Sequence, residues 1–298
     1  MVSAQVTTAA RQSILPVVGV VVAAGLLAAG CSTGRTGSGA QVTPPPIGAA
    51  PTAPVTGYDG LIQLPLSAYG TSEQDDLVLY RTNEALITRC MKSRGHTSYA
   101  SQNMTGTATK THQEKEATRP AGAWGYIGAA TAKHSGFHIA VPLKTAKGPT
   151  GRALKDYNAC WGQANKQLPS LADTPGGKLV RDLFNQSFQL AGADSRVGAA
   201  RKRWSACMNT AGHPADAPEK LAGDRWDTDK PTSNEIATAT ADESCTRSSQ
   251  LAAVYFTVLA GSQRQLISAN ITVLTGYQKQ VQKQMDQAAH LLSATATT

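Results

Sequence analysis

The apolar positions of this chain recur at spacings of three and four, and they divide it into helices separated by stretches with no period. Leu79/Tyr80, Leu86/Ile87 and Cys90/Met91 form one stripe. Thr71 and Ser72 can cap the helix that carries it, and Glu73, Asp75 and Asp76 suit its positive end, so a helix is predicted over 71–94. Residues 97–150 are rich in Thr, Gly, Ala and Lys and show little period; one short helix is expected after Ile127. Leu154, Tyr157, Cys160, Trp161 and Ala164 predict a helix over 151–168, stopped by Pro169. Thr174 as cap and Pro175 in the first turn open the next. Its stripe of Val180, Leu183, Ser187, Leu190, Asp194, Val197, Arg201, Trp204 and Met208 predicts one long helix to about Ala211.

The last helix has the clearest start. Thr232-Ser233-Asn234-Glu235 reads as a capping box behind Pro231. The stripe from Leu251 through Tyr255, Val258, Leu266, Val273, Tyr277, Val281 and Ala288 to Leu292 then continues to the chain end. Unbroken, this helix would be about 60 residues and 90 Å long. Gly261 and Gly276 are its expected weak points. The polar end "QKQVQKQMDQAAHLL" is expected to project from the body. The reading is a mainly α protein.

The N-terminus has a different pattern. Ile14 to Gly30 is an uncharged apolar run behind Arg11, ending in Leu27-Ala28-Ala29-Gly30-Cys31. A basic start, an apolar stretch and small residues have the layout of an export signal. The junction resembles the bacterial lipobox, in which the Cys receives a thioether-linked diacylglycerol and becomes the mature N-terminus. A plain transmembrane helix is the alternative. The expected organisation is therefore a lipoprotein signal peptide over 1–30, a Pro/Gly-rich tether over 31–57 from lipidated Cys31, and a helical body over 58–298. The predicted location is the extracytoplasmic face of the cell membrane. Net charge is +8. On an exported body this suits anionic lipid headgroups or wall polymers, or simple solubility, and no nucleic-acid partner is expected.

Export also decides the fate of the other cysteines. Cys90, Cys160, Cys207 and Cys245 are an even set, and an oxidising compartment favours disulfides. Four cysteines allow three connectivities, among which spacing alone does not choose. An internal repeat does. "CMKSRGH" at 90–96 and "CMNTAGH" at 207–213 share C-M-x-x-x-G-H, and each is followed by a cysteine in a helical setting. The simplest account is a duplication in which each unit closes its own bond, Cys90–Cys160 and Cys207–Cys245. Unit one is about 71–169 and unit two about 174–298. Such loops contribute about 4 kcal/mol each on the chain-entropy view. Gly95 and Gly212 then fall just past helix ends, in a left-handed conformation, with Met91 and Met208 filling core space. His96 and His213 are expected to be solvent-facing or capping.

Trp204-Ser205-Ala206-Cys207-Met208 with Asp242-Glu243-Ser244-Cys245 resembles a set of uncharacterised actinobacterial secreted lipoproteins. In those, a helix with W-x-x-C-M-x-x-x-G precedes a long C-terminal helix that begins near acidic-x-x-Cys. Cys90 to Gly95, Gly125-Tyr126 and Gly136-Phe137-His138 extend the likeness upstream. The resemblance implies a helical fold and an envelope location, and carries no activity.

Chemical signatures are sparse. The chain has no G-x-S-x-G elbow, S-x-x-K, H-E-x-x-H or phosphate-binding glycine loop. His134 and His138 are four apart, but Gly136 lies between them and no further ligand type is near in sequence. Glu114 and Glu116 beside His112 read as a solvated face. No metal and no cofactor is expected. Trp124, Tyr126, Phe137 and His138 are a candidate aromatic pocket for a sugar or peptide, or else they pack their loop onto the helices. The expected function is a non-enzymatic binding or scaffolding module of the envelope. An envelope enzyme with dispersed site residues, or a thiol-redox or metal-delivery protein, are the alternatives.

Overall fold

The computed structural model describes residues 42–100, 126–137, 148–221, 226 and 230–296, which are mainly helical with no strand among them. Eight α-helices follow in order: α1 (Gly57–Ile62), α2 (Glu73–Ser93), α3 (Ala129–Ser135), α4 (Gly151–Gln167), α5 (Pro175–Ala193), α6 (Ser195–Thr210), α7 (Ser233–Ser248) and α8 (Leu251–Ala296). Short 3-10 turns lie at Pro65–Tyr69 and Pro218–Lys220.

The predicted starts are built from the predicted residues. Ser72 caps α2 in a capping box with Asp75, whose carboxylate accepts from the Ser72 amide at 2.9 Å. Thr232 and Glu235 make the same reciprocal pair at α7, and Thr174 caps α5 with Pro175 behind it.

The predicted helix over 174–211 is two helices. Asp194 is extended at φ −66° and ψ 126°, and its carboxylate accepts from the amide of Arg196 at 2.9 Å, so it ends α5 and caps α6. The apolar stripe runs on across this corner because both helices bury a face, and periodicity is blind to one turned residue. The last predicted helix also divides. Gln250 adopts φ 58° between α7 and α8, with neither Gly nor Pro to announce it. Inside α8 the break comes at neither expected glycine. It comes at Asn270 (φ −125°, ψ 15°), whose side-chain amide donates to the Leu266 carbonyl at 2.8 Å and intrudes on the helical ladder.

Helix α8, 46 residues long, is the spine. Its first half is apolar nearly all round, with Leu251, Val254, Tyr255, Phe256, Val258 and Leu259 buried. There it meets α6, Trp204 and Met208. Midway, Leu266, Leu274 and Tyr277 pack on Val180 and Leu183 of α5 and on Leu66. Its end does not project. Thr82 of α2 donates to the Ala288 carbonyl at 3.3 Å, Arg89 to that of Ala294 at 2.6 Å, and Gln284 to that of Pro169. The polar stretch is docked because its backbone and glutamines find partners on unit one, while Val281 and Ala288 are buried. The C-terminal helix is thus shared by both units.

Residues 42–56, read from sequence as part of the tether, lie against the body. Thr43 exchanges hydrogen bonds with the Gln265 side chain at 3.0 and 2.9 Å, and Arg196 donates to the Pro45 carbonyl at 2.8 Å. Gly261 faces this strap: a Cβ there would stand 2.3 Å from Pro45. The supposed weak point is a seat for proline. Among the described residues no helix is long and apolar enough to cross a membrane.

Candidate functional site

The repeated motif builds the same joint twice. Cys90 and Cys160 are bonded between α2 and α4, and Cys207 and Cys245 between α6 and α7, with Cα separations of 5.6 and 5.5 Å. Beyond each cysteine the helix ends identically. The Gly95 and Gly212 amides donate to the carbonyls of Lys92 and Asn209, and the His96 and His213 amides to those of Met91 and Met208. With φ of 92° and 79° at the glycines, these are two Schellman caps. Both methionines are fully buried.

The histidines do more than face solvent or cap. Each ties its helix end to the disulfide-partner helix. His96 Nε2 lies 2.9 Å from Asp156 Oδ2, and Arg94 donates to the other oxygen at 3.1 Å. These partners hold the Asp156 carboxyl below its ordinary range, His96 most strongly. His213 Nδ1 is 2.9 Å from Thr238 Oγ1. That hydroxyl donates to the Asn234 carbonyl at 2.8 Å, so it accepts from the imidazole.

Unit two also holds buried polar groups that the sequence named only as part of the resemblance and gave no role. Trp204 Nε1 donates to Asp242 Oδ1 at 2.8 Å, and Thr246 donates to the same oxygen at 3.3 Å. Burial pushes the Asp242 carboxyl up to about 7, against the pull of these two donors. Next to it Glu243, 6 % exposed, receives Arg247 on Oε1 at 3.1 Å, while its buried Oε2 has no hydrogen-bond partner. Its carboxyl is also raised by burial. Tyr126 lies in the field of the same group, its phenol pushed up to about 12 chiefly by burial. The sequence did carry a signal for the first pair: Trp204 and Asp242 each stand three residues before a bonded cysteine.

Of the four candidate pocket aromatics, Tyr126 and Phe137 flank α3 and belong to the main core, at 9 % and 3 % exposure. Phe137 stacks on Trp226 with centroids 6.1 Å apart. Trp124 and His138 lie outside the described residues, as do His112, Glu114, Glu116 and Cys31. His134 is exposed on α3, and no three metal-ligand residues cluster among the described residues.

Open space lies instead between α3 and α7. A cleft of about 230 Å³ is lined by Ala129, Ala132 and Lys133 of α3 and by Thr240, Glu243, Ser244 and Arg247 of α7. Helix α3 is pressed onto α7 at Gly136, where a Cβ would stand 2.8 Å from the Glu235 side chain. Its alanines then leave room further along. On α7 the four residues sit at i, i+3, i+4 and i+7, a single polar stripe. No family model, no curated protein and no solved structure matches this chain.

Proposed function

We propose that this chain is a lipid-anchored extracytoplasmic protein whose helical body serves as a non-enzymatic binding or scaffolding module of the cell envelope. One observation carries the reading. Behind an apolar run that ends in Leu-Ala-Ala-Gly-Cys31, the other four cysteines are all paired within the body. Disulfides of this kind suit an exported chain, and a thiol committed to a structural bond is not a free nucleophile or metal ligand. The docked strap adds a geometric point. Only residues 32–41 separate Cys31 from the body, a span of at most about 40 Å, so an anchored body would work close to the bilayer. Its net positive charge suits anionic headgroups or wall polymers as neighbours.

The deciding experiment is the mass of the N-terminal peptide from the native membrane fraction. A diacylglyceryl group on Cys31, with Cys31→Ala leaving an uncleaved precursor, is the expected result. A mature chain that begins elsewhere, with no acyl mass on Cys31, would remove the anchor from the proposal.

A further inference from the structure

We propose that the α3–α7 cleft binds a small zwitterion, a ligand with a primary ammonium and a carboxylate: a free amino acid or the end of a short peptide. This deepens the functional proposal and rests on reading the body as a binding module.

The charges that line the cleft select for both signs. Glu243 is buried among its walls and one oxygen is served by Arg247. The other oxygen has no partner, and an unmet acceptor on a buried carboxylate is costly. A ligand ammonium satisfies it, since the terminal torsion of a glutamate is broad and lets the carboxyl turn toward the cleft. Lys133 and Arg247 stand on opposite helices at the edge, both exposed. A ligand carboxylate placed between them receives two charge-assisted donors. A simple anion would meet the buried Glu243, and a simple cation would meet Lys133 and Arg247. A zwitterion opposes neither.

Size and lining agree with this. The space of about 230 Å³ is below the usual range for drug-sized ligands, roughly 300–1,000 Å³. Ala129 and Ala132 form a small apolar wall, fit for a short side chain. Thr240 and Ser244 offer hydroxyls along the stripe. Burial raises the Glu243 carboxyl, and a bound ammonium would draw it back down, so binding would release a proton wherever the free site is partly protonated.

The test uses the full chain in detergent and radiolabelled alanyl-alanine in equilibrium dialysis. Competitors are free alanine, the N-acetyl dipeptide and the dipeptide amide. Saturable binding is expected, with each blocked form weaker by about tenfold or more, the weight of one charge-assisted bond. Glu243→Gln should abolish the penalty for acetylation, and Lys133→Ala should reduce the penalty for amidation, Arg247 supplying what remains. Free alanine competing as well as the dipeptide identifies an amino-acid site; its failure identifies a peptide end. Absence of saturable binding, or blocked forms binding as well as the parent, overturns the assignment. Should Glu243→Gln unfold by circular dichroism, exposed Lys133 still decides, because its loss must weaken only ligands with a free carboxylate. A Cys31 that is acylated beside an empty cleft would defeat this inference alone, and a cleft that binds in a chain with unmodified Cys31 would defeat only the anchor.

Discussion

The joint between α2 and α4 and the joint between α6 and α7 share a staple, a helix end and a histidine tie, yet they are opposite inside. In the first, Leu86, Ile87, Met91 and Ala164 surround the bond with apolar contacts. Its charges stay at the margin, where Arg94 and His96 grip a partly exposed Asp156. In the second, Trp204 is fully buried and hands its N–H to a buried carboxylate, Asp242. The difference lies one turn before each cysteine, where Ile87 and Tyr157 stand in unit one and Trp204 and Asp242 in unit two. The C-M-x-x-x-G-H motif sets the cap and the staple. The residue three places earlier decides whether the interface is dry or polar. A buried polar pair is tolerable only when it is matched, so unit two depends on a bond that unit one does without.

The largest test treats the joints alike. Replacing both cysteines of a pair by Ala should cost about 4 kcal/mol in urea unfolding, with Cys90/Cys160 the dearer by about half a kcal/mol because it closes the longer loop. The separations are 70 and 38 residues. A clearly smaller loss for the first pair would show that chain entropy does not rank the two units.

The next test separates them. Trp204→Phe keeps an aromatic ring but removes the donor from Asp242, and should cost about 2–3 kcal/mol. In the apolar joint Ile87→Val should cost only about 1 kcal/mol. Adding Asp242→Leu to Trp204→Phe should recover part of the loss, since two apolar partners owe each other no hydrogen bond. Strict additivity in that double-mutant cycle would mean that the two side chains are not coupled.

The pH dependence of the joints should have opposite sign. Asp242 is held near 7 when folded, above its ordinary 3.8. The folded state therefore keeps the proton longer than the unfolded one. Its contribution is complete below about pH 4 and is lost as pH rises toward 7. Glu243, also raised, acts in the same direction. Asp156 is lowered by His96 and Arg94, so its contribution is present above its unfolded value and fades as pH falls through the folded one. Melting temperatures measured from pH 4 to 7.5 should fall as pH rises. Asp242→Asn, which still accepts from Trp204, should flatten that fall. Asp156→Asn should instead reduce the loss of stability in acid. An unchanged profile in Asp242→Asn would place the titration elsewhere.

Much of this architecture was legible where one residue type has one job. Paired contexts gave the cysteine connectivity, and Ser72, Thr174 and Thr232 announced helix starts because their hydroxyls cap amides. Breaks made without such a signature were not visible. Asp194 lies on an apolar stripe that continues through it, and Gln250 takes a left-handed conformation with neither Gly nor Asn to mark it. Asn270 bends α8 by a side-chain bond that leaves the spacing of the stripe intact. The candidate cleft was hidden for a related reason. Thr240, Glu243, Ser244 and Arg247 carry no catalytic or ligand spacing of their own, and they line a cleft only because α3, more than a hundred residues upstream, is laid over them.

The smallest expected effect tests what the joints share. Gly95 and Gly212 have left-handed backbones, and nothing lies within 4 Å of a Cβ at either. Space is therefore free and only conformation resists substitution. Ala at each position should cost about 1 kcal/mol by the intrinsic penalty for a left-handed residue, and the two costs should agree within a few tenths. Asn should be milder than Ala at both sites, because its short polar side chain tolerates that region. Urea midpoints of the four single variants measure this directly. Matching costs would show that the two helix ends are one device in energy as well as geometry. A much larger loss at Gly212 would mean that the polar joint relies on the His213–Thr238 tie, which the cap aims, more than the apolar joint relies on His96 and Asp156.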